Sequence, residues 1–141
     1  MSLGNHREGL CIVRFDGASG GNPGPAGAGA VLYAEDGRLL FRFREGLGCQ
    51  KNSSAEYRAL ILGLKQAIYK RFRNITVQGD SIHVINQFLG SWKISNPNLL
   101  SLCDDALQLR ECFHSFNIQH IPTEYNTEVN AQANRAIYLR G

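Results

Sequence analysis

Asp16, Glu56 and Asp80 are the residues of this sequence best suited to chemistry, because each carboxylate stands where one regular pattern gives way to another. Asp16 follows the β-branched and aromatic run Cys11-Ile12-Val13-Arg14-Phe15 and precedes a stretch of turn formers, Gly17 to Pro25. Glu56 opens a long apolar helical pattern after Asn52-Ser53-Ser54-Ala55, and Asp80 closes the strand-like Ile75-Thr76-Val77-Gln78-Gly79. Carboxylate oxygens are hard ligands that select Mg²⁺ or Mn²⁺. A cluster of them can clamp two such ions about 4 Å apart across a phosphodiester, which is nuclease chemistry. Taken alone, Glu56 is accounted for by the favourable field of a helix N-terminus. Only the company of Asp16 and Asp80 gives it a ligand's role.

The elements that must position these acids follow from residue periodicity. Strands are expected over 11–15, 26–34 and 39–45, the last two joined by the hairpin turn Glu35-Asp36-Gly37. Leu39, Phe41 and Phe43 alternate with Leu40, Arg42 and Arg44, so one face packs and the other is mostly wet. From Ser54 the period changes, and Ala55, Ala59, Leu60, Leu62, Leu64, Ala67 and Ile68 describe a buried helix. Asn52 or Ser53 is expected to cap it, with Glu56 in its first turn. The strand over 75–78 then follows a helical crossover, which makes parallel neighbours. If it lies beside the first strand, Asp16 and Asp80 share the crevice at the carboxyl ends where open α/β sheets place ligands. A short helix over 81–89 should pack Ile82, Ile85, Phe88 and Leu89. A helix started by Asn96-Pro97 should pack Leu99, Leu100, Cys103 and Leu107, with Cys112 and Phe113 after it. A last strand is expected over 117–122. A last helix, capped by Thr123 or Asn126, has the stripe Val129, Ala133, Ala136 and Ile137, with Asn130 just off it.

The ordered motifs Asp16-Gly17-Ala18-Ser19 with Asn22-Pro23-Gly24-Pro25, Asn52-x-x-Ala55-Glu56, Gly79-Asp80-Ser81, and Asn126-x-x-x-Asn130-Ala131-x-Ala133-Asn134 resemble type 1 ribonuclease H, most of all its short plant-like members. The resemblance covers nearly the whole chain beyond the first ten residues. It implies an α/β fold with a ribonuclease H-like five-stranded mixed sheet, three antiparallel strands then two parallel, flanked by helices. It also implies endonucleolytic hydrolysis of the RNA strand of RNA/DNA hybrids with two Mg²⁺ ions, or Mn²⁺ as substitute, held by four carboxylates. Asp16 would bridge both ions, Glu56 and Asp80 would hold the second, and the fourth position belongs to the first. One ion would activate water and the other would stabilise the leaving 3′ oxygen, giving a 5′-phosphate.

Here the fourth position is Asn130, which offers a neutral carbonyl oxygen in nearly the shape of Asp. The expectation is a chain that binds hybrid and cleaves slowly or not at all, whether the residue was introduced to trap a complex or the protein is naturally disabled. The resemblance also places Asn22 and Asn52 near the minor groove, where RNA shows 2′-hydroxyls, with backbone around Gly20, Gly21 and Ser53 reading them. Ser81 and Trp92 complete the expected substrate-binding set. Trp92 beside Lys93 can stack on a base or sugar, or simply pack; Asn22 also suits its turn, and Asn52 a cap. Some ribonucleases H carry a basic protrusion at the stretch that Asn96-Pro97 opens and a mobile histidine before the last helix. This sequence has no such protrusion, Thr123-Glu124-Tyr125 is too short for the histidine loop, and His120 is expected in the core.

Length allows one domain, expected over 10–141 behind a flexible tail over 1–9, and the hydrophobic fraction of 43% is that of a globular chain. No run approaches the roughly 20 apolar residues of a membrane span. A formal charge of +3 suits a phosphate backbone as partner without demonstrating one. Cys11, Cys49, Cys103 and Cys112 lack paired zinc spacing and read as buried free thiols of an intracellular chain, which is separately expected to be a monomer. Two readings compete with the active enzyme: a catalytically inactive hybrid-binding module, and the ribonuclease H domain of a retroelement polyprotein.

Overall fold

The computed structural model describes residues 6–139, and within them a five-stranded mixed sheet carries four helices. In chain order these are β1 (Arg7–Ser19), β2 (Gly24–Ala34), β3 (Leu39–Gln50), α1 (Asn52–Tyr69), β4 (Phe72–Gly79), α2 (Ile82–Phe88), α3 (Pro97–Arg110), β5 (Ser115–His120) and α4 (Thr127–Ala136). The sheet order is β3-β2-β1-β4-β5. β1 and β2, and β2 and β3, pair antiparallel, while β4 runs parallel to β1 and β5 parallel to β4. This is the expected topology.

Register opens the crevice. The antiparallel pairing of β1 with β2 continues to Ser19–Ala26, but its parallel pairing with β4 stops at Phe15–Gly79. Asp16 is therefore still in a strand, not at a strand's end as expected, yet the ladder on its β4 side has already parted. Because strand side chains alternate between faces, β1 offers opposite surfaces to two helices. Gly17 lies under α1: a Cβ there would fall 2.2 Å from the Ala55 carbonyl carbon and 2.4 Å from the Glu56 nitrogen. Asp16 and its β2 partner Gly29 face α4, and a Cβ on Gly29 would lie 2.7 Å from the Ala133 nitrogen. Bare backbone at these two places lets both helices approach the sheet closely. Tyr57, Leu60 and Leu64 of α1 pack with Val13, Phe15 and Leu32 in the core.

Several local expectations change. The tail expected over 1–9 falls partly on residues 1–5, outside the described residues, while Arg7, Glu8 and Gly9 already belong to β1. α1 begins at Asn52 with Lys51 in the cap position and no side-chain cap, so neither Asn52 nor Ser53 caps it and Glu56 stands beyond the first turn. The first donor of α1 is satisfied from elsewhere, by Asn22 Oδ1 accepting from the Asn52 N–H at 3.0 Å. In α2 the buried residues are Val84, Ile85 and Phe88, while Ile82 and Leu89 are exposed. Leu100 is exposed too, as is Cys112 beyond the end of α3, whose buried residues are Cys103 and Ala106. Only Cys11 and Cys103 of the four free thiols are buried, and His120 ends β5 exposed rather than in the core. At the last helix Asn126 occupies the cap position of α4 without capping it; its Nδ2 instead donates to the Phe15 carbonyl at 3.1 Å.

Gly17→Ala should lower stability by about 1–3 kcal/mol, the usual range for overpacking, because its methyl group would meet backbone rather than a side chain that could swing away. Thermal denaturation against Gly9→Ala, where nothing lies within 4 Å, provides the comparison.

Candidate active site

Three elements deliver one acid each to the parted end of β1 and β4. Asp16 comes from within β1, Glu56 from the second turn of α1, and Asp80 from the residue after β4. One carboxylate oxygen from each lies within 4.8 Å of the others. Asp16 is 3% exposed and Glu56 is largely sheltered. The Glu56 Oε2 atom is buried with no hydrogen-bond partner. A buried acceptor left unmet is costly unless something outside the chain supplies the missing charge. An all-oxygen donor set with one uncompensated carboxylate oxygen fits a hard divalent cation.

The electrostatics show the same strain. Burial pushes the Asp16 carboxyl up to about 6, helped by the charge of Asp80 and opposed by hydrogen bonds from Asn130 and the Gly17 backbone. Burial pushes Glu56 up to about 9, and the charges of Asp16 and then Asp80 add to it. Each of these two acids thus resists ionising beside its neighbours, the behaviour of carboxylates that share one site.

Position 130 joins the cluster from α4. Asn130 Nδ2 donates to Asp16 Oδ2 at 2.7 Å. Two neighbouring asparagines, Asn126 at the cap position of α4 and Asn134 within it, hold this arrangement. Asn126, 1% exposed, ties the start of α4 to the residue before Asp16, and Asn134 Nδ2 donates to Asn130 Oδ1 at 3.1 Å. Both occur in the sequence motif, but their contacts could not be read from it.

Beside the acids, a cavity of about 330 Å³ is lined by Asn22, Asn52, Ser53, Glu56, Ser81 and His83. Four of the expected substrate-binding residues therefore adjoin Glu56. Ser81 also caps α2, its hydroxyl accepting from the Val84 N–H at 3.4 Å. Gly20 and Gly21 lie in the exposed turn that carries Asn22, and the Gly20 N–H is already bonded to the Pro25 carbonyl at 2.7 Å, so it is not free to read a ligand. Trp92 does not line the cavity. It is 42% exposed and meets His83 edge-on at 5.1 Å between ring centroids. His83 is a groove residue that the sequence reading missed; its place three residues after Asp80, in the first turn of α2, was the available signal.

Comparison with known proteins agrees with this fold. The family model described as "Reverse transcriptase-like" matches residues 14–136. Ribonuclease HI of Halobacterium salinarum is 38% identical over 131 residues, covering 93% of this chain and 66% of that protein. The crystal structure of RNase H1 from the same archaeon superposes with a TM-score of 0.90 and 38% identity, over 92% of this chain and 98% of the other. LC11-RNase H1, solved in complex with an RNA/DNA hybrid, gives a TM-score of 0.83 at 30% identity over 90% of this chain and 96% of its own. The bifunctional protein Rv2228c of Mycobacterium tuberculosis is 38% identical over 127 residues, 89% of this chain, but the match spans only 35% of its length.

The raised carboxyls make stability depend on pH in a definite direction. A group whose folded value lies above its unfolded value holds protons that the unfolded chain has released, so stability falls as pH rises between the two values. Without added metal, the melting temperature should fall as pH rises from about 4 through about 6 on account of Asp16, and on toward about 9 on account of Glu56. Glu56→Gln should flatten that decline and stabilise the metal-free protein at pH 8 by about 1–3 kcal/mol. Melting curves across pH with a chelator present check both.

Proposed function

Because this chain belongs to the type 1 ribonuclease H-like family, we propose that it is an endoribonuclease that hydrolyses the RNA strand of RNA/DNA hybrids, slowed by Asn130. The observation that carries the reading is the meeting of Asp16, Glu56 and Asp80 from three separate elements beside a polar groove. These acids would hold Mg²⁺, or Mn²⁺ as substitute, with Asn130 standing at the edge of the cluster where a fourth carboxylate is expected. When bound, two such ions supply Lewis-acid activation of water and stabilisation of the leaving 3′ oxygen.

The chain's own residues supply position and selection. The core behind Glu56 and the ladder under Asp16 hold the acids in place, so that little rearrangement is needed when a phosphodiester arrives. Asn22, Asn52, Ser53 and Ser81 present amide and hydroxyl groups to the minor groove, where a 2′-hydroxyl can both donate and accept. A DNA strand leaves those groups unmatched. The connection from α2 to α3 carries a single cation, Lys93, in the span of residues 89–96, which supports binding through the groove without a basic protrusion, as in the short plant-like members. Trp92, half exposed beside His83, is the stacking surface at the groove's margin. The free thiols support an intracellular, reducing setting, and we read the chain as a monomer.

Asn130 favours one second reading, a hybrid-binding module with no turnover. Replacing Asn130 with Asp should raise Mg²⁺-dependent cleavage of a hybrid roughly tenfold or more, because ligand charge governs cation hold. Asp16→Asn should abolish cleavage with hybrid binding retained. Equal rates for the chain and its Asn130→Asp variant would show that position 130 is not the missing ligand; no cleavage by either would favour the binding module. At one fixed salt concentration the chain should also prefer hybrid to DNA duplex by about tenfold, since each unmatched polar contact costs affinity. Equal affinity for both would remove the groove assignment.

A further inference from the structure

The orientation of Asn130 is informative in itself. Toward Asp16 it presents its amide nitrogen, at 2.7 Å from Oδ2, and not the carbonyl oxygen that a cation would need. The reverse orientation would set two oxygens against each other. On its other side Asn130 Oδ1 accepts from Asn134 Nδ2 at 3.1 Å, and the same Nδ2 donates to the Asn130 main-chain oxygen at 3.0 Å. Asn134 lies one helical turn further along α4, where an i, i+4 pair shares a face. A donor on Asn134 thus selects which end of the Asn130 amide faces the acids.

We infer that Asn134 is a positioning residue that locks Asn130 as a hydrogen-bond donor to Asp16, so that a divalent cation entering the cluster must first break this lock or leave position 130 unused. The inference rests on the proposed reading of the three acids as cation ligands. In the locked state the partial positive charge of the amide hydrogens stands where a fourth oxygen is expected, satisfying Asp16 without metal. Turning Asn130 over would offer its carbonyl oxygen, but would set its amide nitrogen against the Asn134 Nδ2 donor, which the Asn130 main-chain oxygen keeps in place, and would remove the Asp16 bond. An aspartate at this position has two equivalent oxygens and no amide to orient, so the lock has nothing to act on there.

The test is a double-mutant cycle on Mn²⁺ affinity, measured by calorimetry and by the paramagnetic signal of free Mn²⁺, without nucleic acid. Asn134 is exposed, so Asn134→Ala should fold, with a cooperative transition in chelator lowered by no more than a few degrees as the control. In the chain that keeps Asn130 this substitution should tighten Mn²⁺ binding roughly two- to fivefold, the scale of one partly exposed hydrogen bond. In the Asn130→Asp variant it should leave affinity unchanged. In ¹⁵N spectra, Mg²⁺ should move the Asn130 side-chain amide signals at lower concentration once Asn134 is replaced by Ala. No change of affinity in the chain that keeps Asn130, or an equal change in both, overturns the lock. Absence of Mn²⁺ uptake even by Asn130→Asp would instead overturn the reading of the acids as a metal site.

Discussion

The backbone of a helix lying almost against the backbone of a strand is the contact on which this site depends. At Gly17 there is no room for a methyl group between β1 and the start of α1. That closeness carries Glu56 across to an acid on the other surface of the same strand. The helix is held there by the side chains that follow Glu56: Tyr57, Leu60 and Leu64 are fully buried. Apolar burial of this kind contributes about 1.5–3 kcal/mol for each large side chain. It offsets the cost of keeping three acids together in a sheltered place.

The second helix at the site works from the opposite face. Gly29 admits α4 to the sheet beside Asp16, and Asn126 ties the helix start to the strand residue before it. Asn130 therefore reaches Asp16 through a frame set by backbone contacts rather than by its own chemistry. An acid at that position would meet Asp16 with repulsion until a cation arrived; the amide meets it with a hydrogen bond. One change of atom alters the charge of the cluster while keeping nearly the same side-chain shape on α4.

Element type was legible wherever periodicity was long. The α1 pattern, the alternation in β3 and the crossover to β4 led to the observed sheet order, since a helix between two strands makes them parallel. Helix starts and exposed faces were less legible. Asn52 has the composition of a cap, but its N–H is met by Asn22, which is 30 residues away along the chain. Leu100 and Leu89 are as apolar as core residues, yet they are exposed, while Ala106 of α3 and Val84 of α2 are buried. Such choices depend on the shape of a partner surface that no local pattern carries.

The three acids, the glycines that thin the strands and the asparagines at the last helix were determined by the sequence alone, because each is a matter of residue type and spacing. The tertiary structure decided the rest. It parted β1 from β4 one residue before Asp16, left an oxygen of Glu56 without a partner, brought His83 to the groove and turned the amide of Asn130 toward Asp16. Each of these depends on atoms that are distant along the chain, and only the closed packing of helices on both faces of the sheet brings them within bonding range.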